Sequence, residues 1–212
     1  MRVSRERISE IAPSGTTAIV LAGGRSVRMG TDKASLVFQG EFLLARVINR
    51  LISHWDPILV IAARGQALPQ ISPNSVRVLR DEYPDKGPLS GIYTGLKAAE
   101  TTYCSVVACD MPFVNPLLLT YMLAVAREGN YEAVIPLALG QLQYLHAVYK
   151  RTLLEPIEQA LCGDRLALHT FVGNRNIRAI SETDVMRVDP GLAFHDNVNT
   201  PADLARAVKR LP

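Results

Sequence analysis

No apolar run in this 212-residue chain reaches the roughly 18 residues that a membrane-crossing helix needs, so no such helix is expected. The first fifteen residues lack the apolar core of a secretory signal. Arg2, Arg5 and Arg7 are mixed there with Glu6 and Glu10, and residues 1–16 read as a flexible extension. Charge of one sign is scarce as well. The net charge is only +3 and the basic residues are scattered, which argues against a dedicated nucleic-acid binder. Cysteine is limited to Cys104, Cys109 and Cys162, an odd number without zinc spacing, and a reducing cytoplasm fits that usage. The four histidines, His54, His146, His169 and His195, share no ligand spacing. No Ser–His–Asp or Cys–His arrangement, internal repeat or low-complexity segment is present.

What the chain does have is alternation. Near-continuous apolar strands are expected at Thr17–Ala22, Pro57–Ala62, Cys104–Cys109 and Ala133–Leu137, with shorter ones at Val76–Arg80 and Tyr144–Tyr149. Between them, Leu43, Leu44, Val47, Ile48, Leu51, Ile52 and Trp55 recur at helical spacing. Further helices are expected over 88–100, 116–128, 151–162 and 166–173. A closing helix starts at Pro201, capped by Thr200, with Leu204, Val208 and Leu211 as its core face. Strands that are apolar throughout, separated by helices, imply a mostly parallel sheet covered on both faces. The expectation is one Rossmann-like three-layer α/β/α domain over residues 17–212. At this length it buries about 70% of its unfolded surface without staples. Residues 65–75 read as a surface loop within it.

The most informative segment is Ala18-Ile19-Val20-Leu21-Ala22-Gly23-Gly24-Arg25-Ser26-Val27-Arg28-Met29-Gly30-Thr31-Asp32-Lys33. A buried strand runs straight into a loop rich in glycine and cations. Glycine lets the backbone approach an anion, successive N–H groups form an anion-binding concavity, and Arg and Lys neutralise the remaining charge. Two common phosphate loops are excluded by spacing. A Walker A loop needs Lys directly after its second Gly, and a dinucleotide fingerprint needs G-x-G-x-x-G.

In open α/β sheets ligands sit beyond the carboxyl ends of the strands. The loop after Ala22, Asp81 after Leu79 and Asp110 after Cys109 all fall there. Each aspartate alone could be a turn or capping residue. Three strand ends facing one crevice are a stronger signal than any one of them. Asp110, leaving a buried strand beside a phosphate loop, suits Mg²⁺, which keeps several waters and needs only one or two protein oxygens.

Residues 21–33 resemble, position by position, the signature L-A-G-G-x-S-x-R-M-G-x-D-K of the molybdenum cofactor guanylyltransferases, within the nucleotidyltransferase superfamily. Leu79-Arg80-Asp81 followed by Gly87-Pro88-Leu89-Ser90-Gly91 is similar to that family's V-x-x-D and G-P-L-x-G. Ala108-Cys109-Asp110-Met111-Pro112-Phe113 resembles its C-D-x-P-[FY], and Asn197-Val198-Asn199-Thr200-Pro201 its N-V-N-T-P. Two departures stand out. Ile61 occupies a place where relatives can carry a nucleotide-reaching Asn. Leu166 follows Gly163-Asp164-Arg165 where a second basic residue can stand beside the pterin.

The resemblance implies transfer of GMP from GTP onto the phosphate of a molybdopterin-type cofactor, with Mg²⁺ held by Asp110. It implies nucleotide docking by Leu21, Ala22, Gly23 and Gly24, and nucleoside contact through Asp81, to base or ribose. Arg28 and Lys33 face the triphosphate and its leaving pyrophosphate. Gly87 and Gly91 allow close backbone approach, with ordinary packing as their alternative, and Asn199 completes the metal or phosphate site. The implied partners are GTP and the molybdopterin cofactor, with transient contact to cofactor-synthesis proteins or molybdoenzymes and no nucleic acid or membrane. The rival readings are cytidylyl transfer to the same cofactor, nucleotidyl transfer to a sugar phosphate, and a non-catalytic nucleotide- or cofactor-binding protein of the same fold.

Overall fold

The computed structural model describes residues 15–23, 32–71 and 75–210. Arg28, Gly24 and the rest of 24–31 lie outside the described residues, as does the N-terminal segment 1–14. The central sheet uses β1 (Thr17–Leu21), β4 (Ile58–Ala62), β5 (Val76–Arg80), β6 (Tyr103–Ala108), β7 (Ala133–Ala138), β9 (His146–Lys150) and β10 (Ile177–Ile180). Their spatial order is β10-β7-β9-β6-β1-β4-β5. A small separate hairpin is made of β2 (Val37–Phe38) and β3 (Glu41–Phe42), and β8 (Gln141–Leu142) folds back on β7.

The pairings of β1 with β4 and β6, of β4 with β5, and of β7 with β10 are parallel. Strand β9 runs antiparallel between β6 and β7. The expected mostly parallel sheet therefore holds, with one reversed strand inside it. That strand begins at His146 and not at Tyr144. Gln143 donates its backbone N–H to Pro136 O, His146 donates to Gln143 O, and the turn they close takes up the two extra residues.

Alternate residues of each buried strand serve opposite faces, as a pleated strand requires. Ala18 and Val20 face one core with α1 (Leu43–Leu51), α3 (Pro116–Glu128) and α6 (Glu182–Val188). Ile19 and Leu21 face another, with α2 (Pro88–Ala98), α4 (Leu154–Cys162) and α5 (Leu168–Gly173). This is the expected three-layer arrangement. Helix α2 lies very close on β1. A Cβ at position 95 would meet Ile19 Cγ2 at 2.6 Å, and one at position 91 would meet Leu21 Cδ2 at 2.9 Å. The close approach that Gly91 permits is thus to the core, with a side-chain partner.

The closing helix α7 (Pro201–Lys209) is capped by Thr200, whose hydroxyl accepts from the Asp203 N–H at 3.1 Å. Its core face is turned from the expected one: Ala207 is buried with Leu204 packed beside it, whereas Val208 is 46% exposed. Leu211 lies outside the described residues. Among the described residues no helix is long and apolar enough to cross a membrane.

His146 opens β9, packs on Phe194 at 4.8 Å between ring centroids, and is fully buried, with neither ring nitrogen hydrogen-bonded among the described residues. Burial pushes its imidazole down to about 3 from the usual 6.5. The unfolded chain then takes up a proton before the folded one does. The stability tied to neutral His146 is full above pH 6.5 and is lost as pH falls toward 3. Between pH 7 and pH 5 the loss amounts to about 2 kcal/mol. Urea titrations of the protein and of His146→Leu across that window check this. The variant should show a flatter pH dependence, and an unchanged slope would place the acid sensitivity elsewhere.

Candidate functional site

At the carboxyl edge of the parallel strands, three segments distant in sequence meet. Lys33 Nζ lies 2.7 Å from Asp110 Oδ2, across 77 residues of chain. The same ammonium donates to Asn199 Oδ1, across 166 residues. Each side chain arrives there for a local reason. Asp32 caps the short 3₁₀ turn Lys33–Ser35 by accepting from the Ala34 N–H at 2.9 Å, and that turn presents Lys33. Asp110 leaves β6 just after Cys109, whose N–H donates to Leu21 O at 3.0 Å. Val198 donates to Asp110 O at 2.8 Å, which sets the next residue, Asn199, beside the carboxylate. Because Thr200 caps α7, the Asn199 amide is released from that duty.

Helix α1 braces this edge from one side. Arg46 donates to Pro112 O at 3.1 Å and Arg50 to Val114 O at 2.7 Å, so the loop after Asp110 is held by two guanidinium groups. The β2–β3 hairpin that follows Lys33 contributes Phe38, in edge-to-face contact with Phe113 at 6.0 Å. The two ends of the Lys33–Asp110 pair are therefore carried on segments that pack on each other. Cys109, buried, has its thiol pushed up by desolvation and then by the Asp110 charge, which keeps it a neutral core group.

Asp110 Oδ1 is buried and has no hydrogen-bond partner among the described residues. A buried, charged oxygen left unpaired is costly, and a cation is the natural partner for it. Among the described residues no three carboxylate, imidazole or thiol groups gather around a point. The donor set on offer is one carboxylate oxygen with an amide oxygen nearby. That is too sparse for an all-protein cage, but it fits Mg²⁺ completed by water and substrate phosphates.

The remaining expected positions divide. Leu21 is buried, and Ala22 and Gly23 both direct their N–H groups at Ile61 O, at 2.8 and 3.1 Å. Those two N–H groups close the sheet edge. A Cβ on Gly23 would stand 3.0 Å from the Ala63 backbone nitrogen, so glycine is needed there for close approach of two chain segments. Ile61 points into the core with Leu21 and Leu89, and its carbonyl is what ties down the loop entry.

Asp81 follows β5, with its carboxylate turned toward α2. Oδ2 accepts from Ser90 Oγ at 2.6 Å, and Oδ1 accepts from the Tyr83 N–H at 3.1 Å. These bonds fix the start of α2, where Gly87 takes φ 70°, a conformation that favours glycine. Gly163 and Asp164 form the turn after α4, and Asp164 pairs with Lys86 at 2.7 Å.

One residue of this edge has no signal in the sequence. Gln66, within the stretch read as a surface loop, accepts from the Ala63 N–H at 2.8 Å and donates to Ala22 O at 3.0 Å and Asp32 Oδ2 at 2.7 Å.

The model of the MobA-like NTP transferase domain matches residues 18–179. A probable molybdenum cofactor guanylyltransferase of Mycolicibacterium paratuberculosis is 40% identical over 193 residues, 88% of this chain and 91% of that protein. One from Natronomonas pharaonis is 36% identical over 203 residues, 92% of this chain and 98% of its own length. The chain belongs to the molybdenum cofactor guanylyltransferase family. As a member of that family it is a nucleotidyltransferase.

The solved structure of molybdopterin-guanine dinucleotide biosynthesis protein A from Archaeoglobus fulgidus superposes with a TM-score of 0.77 at 23% identity, over 91% of this guanylyltransferase-family chain and 97% of that one. Cytidylyltransferase structures share the fold too. The enzyme for 2-C-methyl-D-erythritol 4-phosphate from Thermus thermophilus gives 0.66 at 19% identity, over 91% of this chain and 97% of that one. The fold is common to several nucleotidyl transfers, so the choice of reaction rests on the site and on the closer relatives.

Proposed function

We infer that this protein transfers GMP from GTP to a molybdenum-bearing molybdopterin, giving the guanine dinucleotide cofactor and pyrophosphate. The observation that carries the reading is the meeting of Lys33, Asp110 and Asn199 at the carboxyl edge of the sheet. Support comes also from the relatives named molybdenum cofactor guanylyltransferase.

The terminal phosphate of the cofactor is the nucleophile. One of its oxygens forms a bond to the α-phosphorus of GTP, and the bond from that phosphorus to the bridging oxygen breaks. The electron pair leaves with pyrophosphate. A phosphate is already ionised at neutral pH, so no general base is required, and the protein supplies position and charge. Lys33, with two of its three N–H groups directed at Asp110 and Asn199, keeps one for an oxygen of the departing pyrophosphate. Asp110 and Asn199, which meet at Lys33, would hold a divalent cation, and that ion would supply charge neutralisation for the phosphates. Leu21, Ala22, Gly23 and Gly24 dock the nucleotide, and Arg28 faces the rest of the triphosphate. Asp81 orders the start of α2 through Ser90, and through it the Gly87–Pro88 turn against which the nucleoside is placed. The reaction takes place in the cytoplasm, where the free thiols of Cys104, Cys109 and Cys162 stay reduced. Its product passes by transient contact to cofactor-synthesis proteins or molybdoenzymes.

Thermal unfolding with each nucleoside triphosphate and Mg²⁺ tests the choice of base. GTP at 100 times its dissociation constant should add about 2.7 kcal/mol and raise the midpoint more than CTP, ATP or UTP. Equal shifts with all four would overturn the guanine assignment. A larger shift with CTP would make the protein a cytidylyltransferase.

A further inference from the structure

We propose that Gln66 is the positioning residue that holds Lys33 against Asp110, by binding the carboxylate of Asp32 and the carbonyl of Ala22 with one amide group. The inference rests on the reading of Lys33 as the cation of the triphosphate site. Its basis is a chain of contacts, each short enough to be directional. Gln66 Nε2 donates to Asp32 Oδ2 at 2.7 Å, and Asp32 Oδ1 caps the turn that carries Lys33. Gln66 Nε2 also donates to Ala22 O at 3.0 Å, at the end of β1. Gln66 Oε1 accepts from the Ala63 N–H at 2.8 Å. Both hydrogens of the amide and one lone pair of its oxygen are thereby engaged. Only one orientation of the group matches donors to acceptors at all three partners.

Gln66 is itself fixed from outside the site. Arg80, the last residue of β5, donates through Nη1 to Gln66 O at 2.8 Å and to Ala63 O at 3.1 Å. Gly65 takes φ 74°, which turns the chain so that the amide of Gln66 comes back toward β1. The amide is thus a strut between a sheet edge braced by Arg80 and the Asp32 cap. Ala22 and Asp32 flank the glycine-rich segment, so the strut joins its two described ends.

This arrangement places a requirement on the Asp32 carboxylate. One of its oxygens must face the Ala34 N–H for the 3₁₀ turn to form, and Gln66 holds the other. Without the donor, the carboxylate is free to rotate away, and the turn loses its cap. A misplacement on the order of 1 Å at a reacting group costs about a hundredfold in rate, so even partial loss of register is measurable.

The test is a cycle of Gln66→Ala and Lys33→Ala, with steady-state kinetics on GTP and the melting midpoint recorded for every protein. Gln66→Ala should lower kcat about tenfold, the size of a lost hydrogen bond to a charged group, with a smaller change in KM. In the Lys33→Ala background the same substitution should change kcat less than about twofold, because the group it positions is gone. Gln66→Glu keeps the shape and the acceptor of Ala63 but cannot donate to Asp32. It should be at least as impaired as Gln66→Ala, which a packing role for the side chain would not give.

If Lys33→Ala is impaired while Gln66→Ala costs the same factor in both backgrounds, Gln66 acts elsewhere and the proposal fails alone. Full activity of Gln66→Glu also rejects it. If Lys33→Ala turns over normally, the phosphate-site reading fails and takes the proposal with it.

Discussion

Replacing Asp110 with Asn should reduce turnover about a thousandfold while leaving a folded protein. The side chains are nearly isosteric. The Asn oxygen can still accept from Lys33, as Asp110 Oδ2 does at 2.7 Å. What disappears is the negative charge, and with it the buried Oδ1 that has no partner among the described residues. A preorganised electrostatic contact is worth about a hundred- to a thousandfold in rate. The upper end applies here, because one carboxylate serves both the cation site and the orientation of Lys33. Stability should fall by only about 1 kcal/mol, or roughly 2–4 °C in the midpoint for a domain of this size. Single-turnover assays with GTP, Mg²⁺ and the molybdopterin cofactor check the rate, and a melting curve checks the fold. Turnover near that of the parent protein would reduce Asp110 to a turn residue.

Lys33→Ala should lower kcat about a hundredfold and raise the KM for GTP by much less. Charge accumulates on the departing pyrophosphate as its bond to the α-phosphorus lengthens. A cation aimed there stabilises the transition state more than the bound substrate. Loss of such a contact costs about 2.7–4 kcal/mol of activation free energy. The substitution also removes the partner of Asp110. Both side chains of the pair keep some solvent access, so the cost in stability stays below the roughly 3–5 kcal/mol of breaking a fully buried pair. Steady-state kinetics separate the two effects. An increase in KM with kcat unchanged would assign Lys33 to binding alone. No change in either would remove it from the site.

The parts of the fold that the sequence announces are those with one strong local cause. Asn115 followed by Pro116 starts α3 where expected, because a side-chain cap and a preset φ act at consecutive positions. The apolar runs at β1, β4 and β6 identify buried strands, since only burial on both faces tolerates them. The direction of β9 was not legible: pleating has the same period in either direction, and only the pairing with β6 and β7 reveals it. Strand β10 escaped because Arg178 and Ala179 are exposed at a sheet edge, which leaves no apolar run. Helix α6 is short, with only Val185 and Val188 buried, although its Ser181 cap is readable.

The site divides along the same line. Lys33, Asp110 and Asn199 belong to motifs, and the fold brings them together. The backbone of Ala22 and Gly23 turned out to close the sheet, because a strand end must first satisfy its own N–H groups. Gln66 was invisible for another reason. A glutamine in a polar loop carries no periodicity, and its three partners come from positions 22, 32 and 63.

The separation of Lys33 from Asn199 by 166 residues also bears on when the site comes into being. Contacts that close long loops form late, since the entropy of closure must be met before they contribute. During synthesis the N-terminal part emerges first. A nascent chain can bring Lys33 to Asp110 once β1 and β6 pair, yet it lacks the amide oxygen until residue 199 has left the ribosome. The Val198–Asp110 bond that places this amide closes a shorter but still long-range loop. The complete site therefore cannot exist before residue 199 has emerged, and a triphosphate meets Lys33, Asp110 and Asn199 together only after the C-terminal motif has docked.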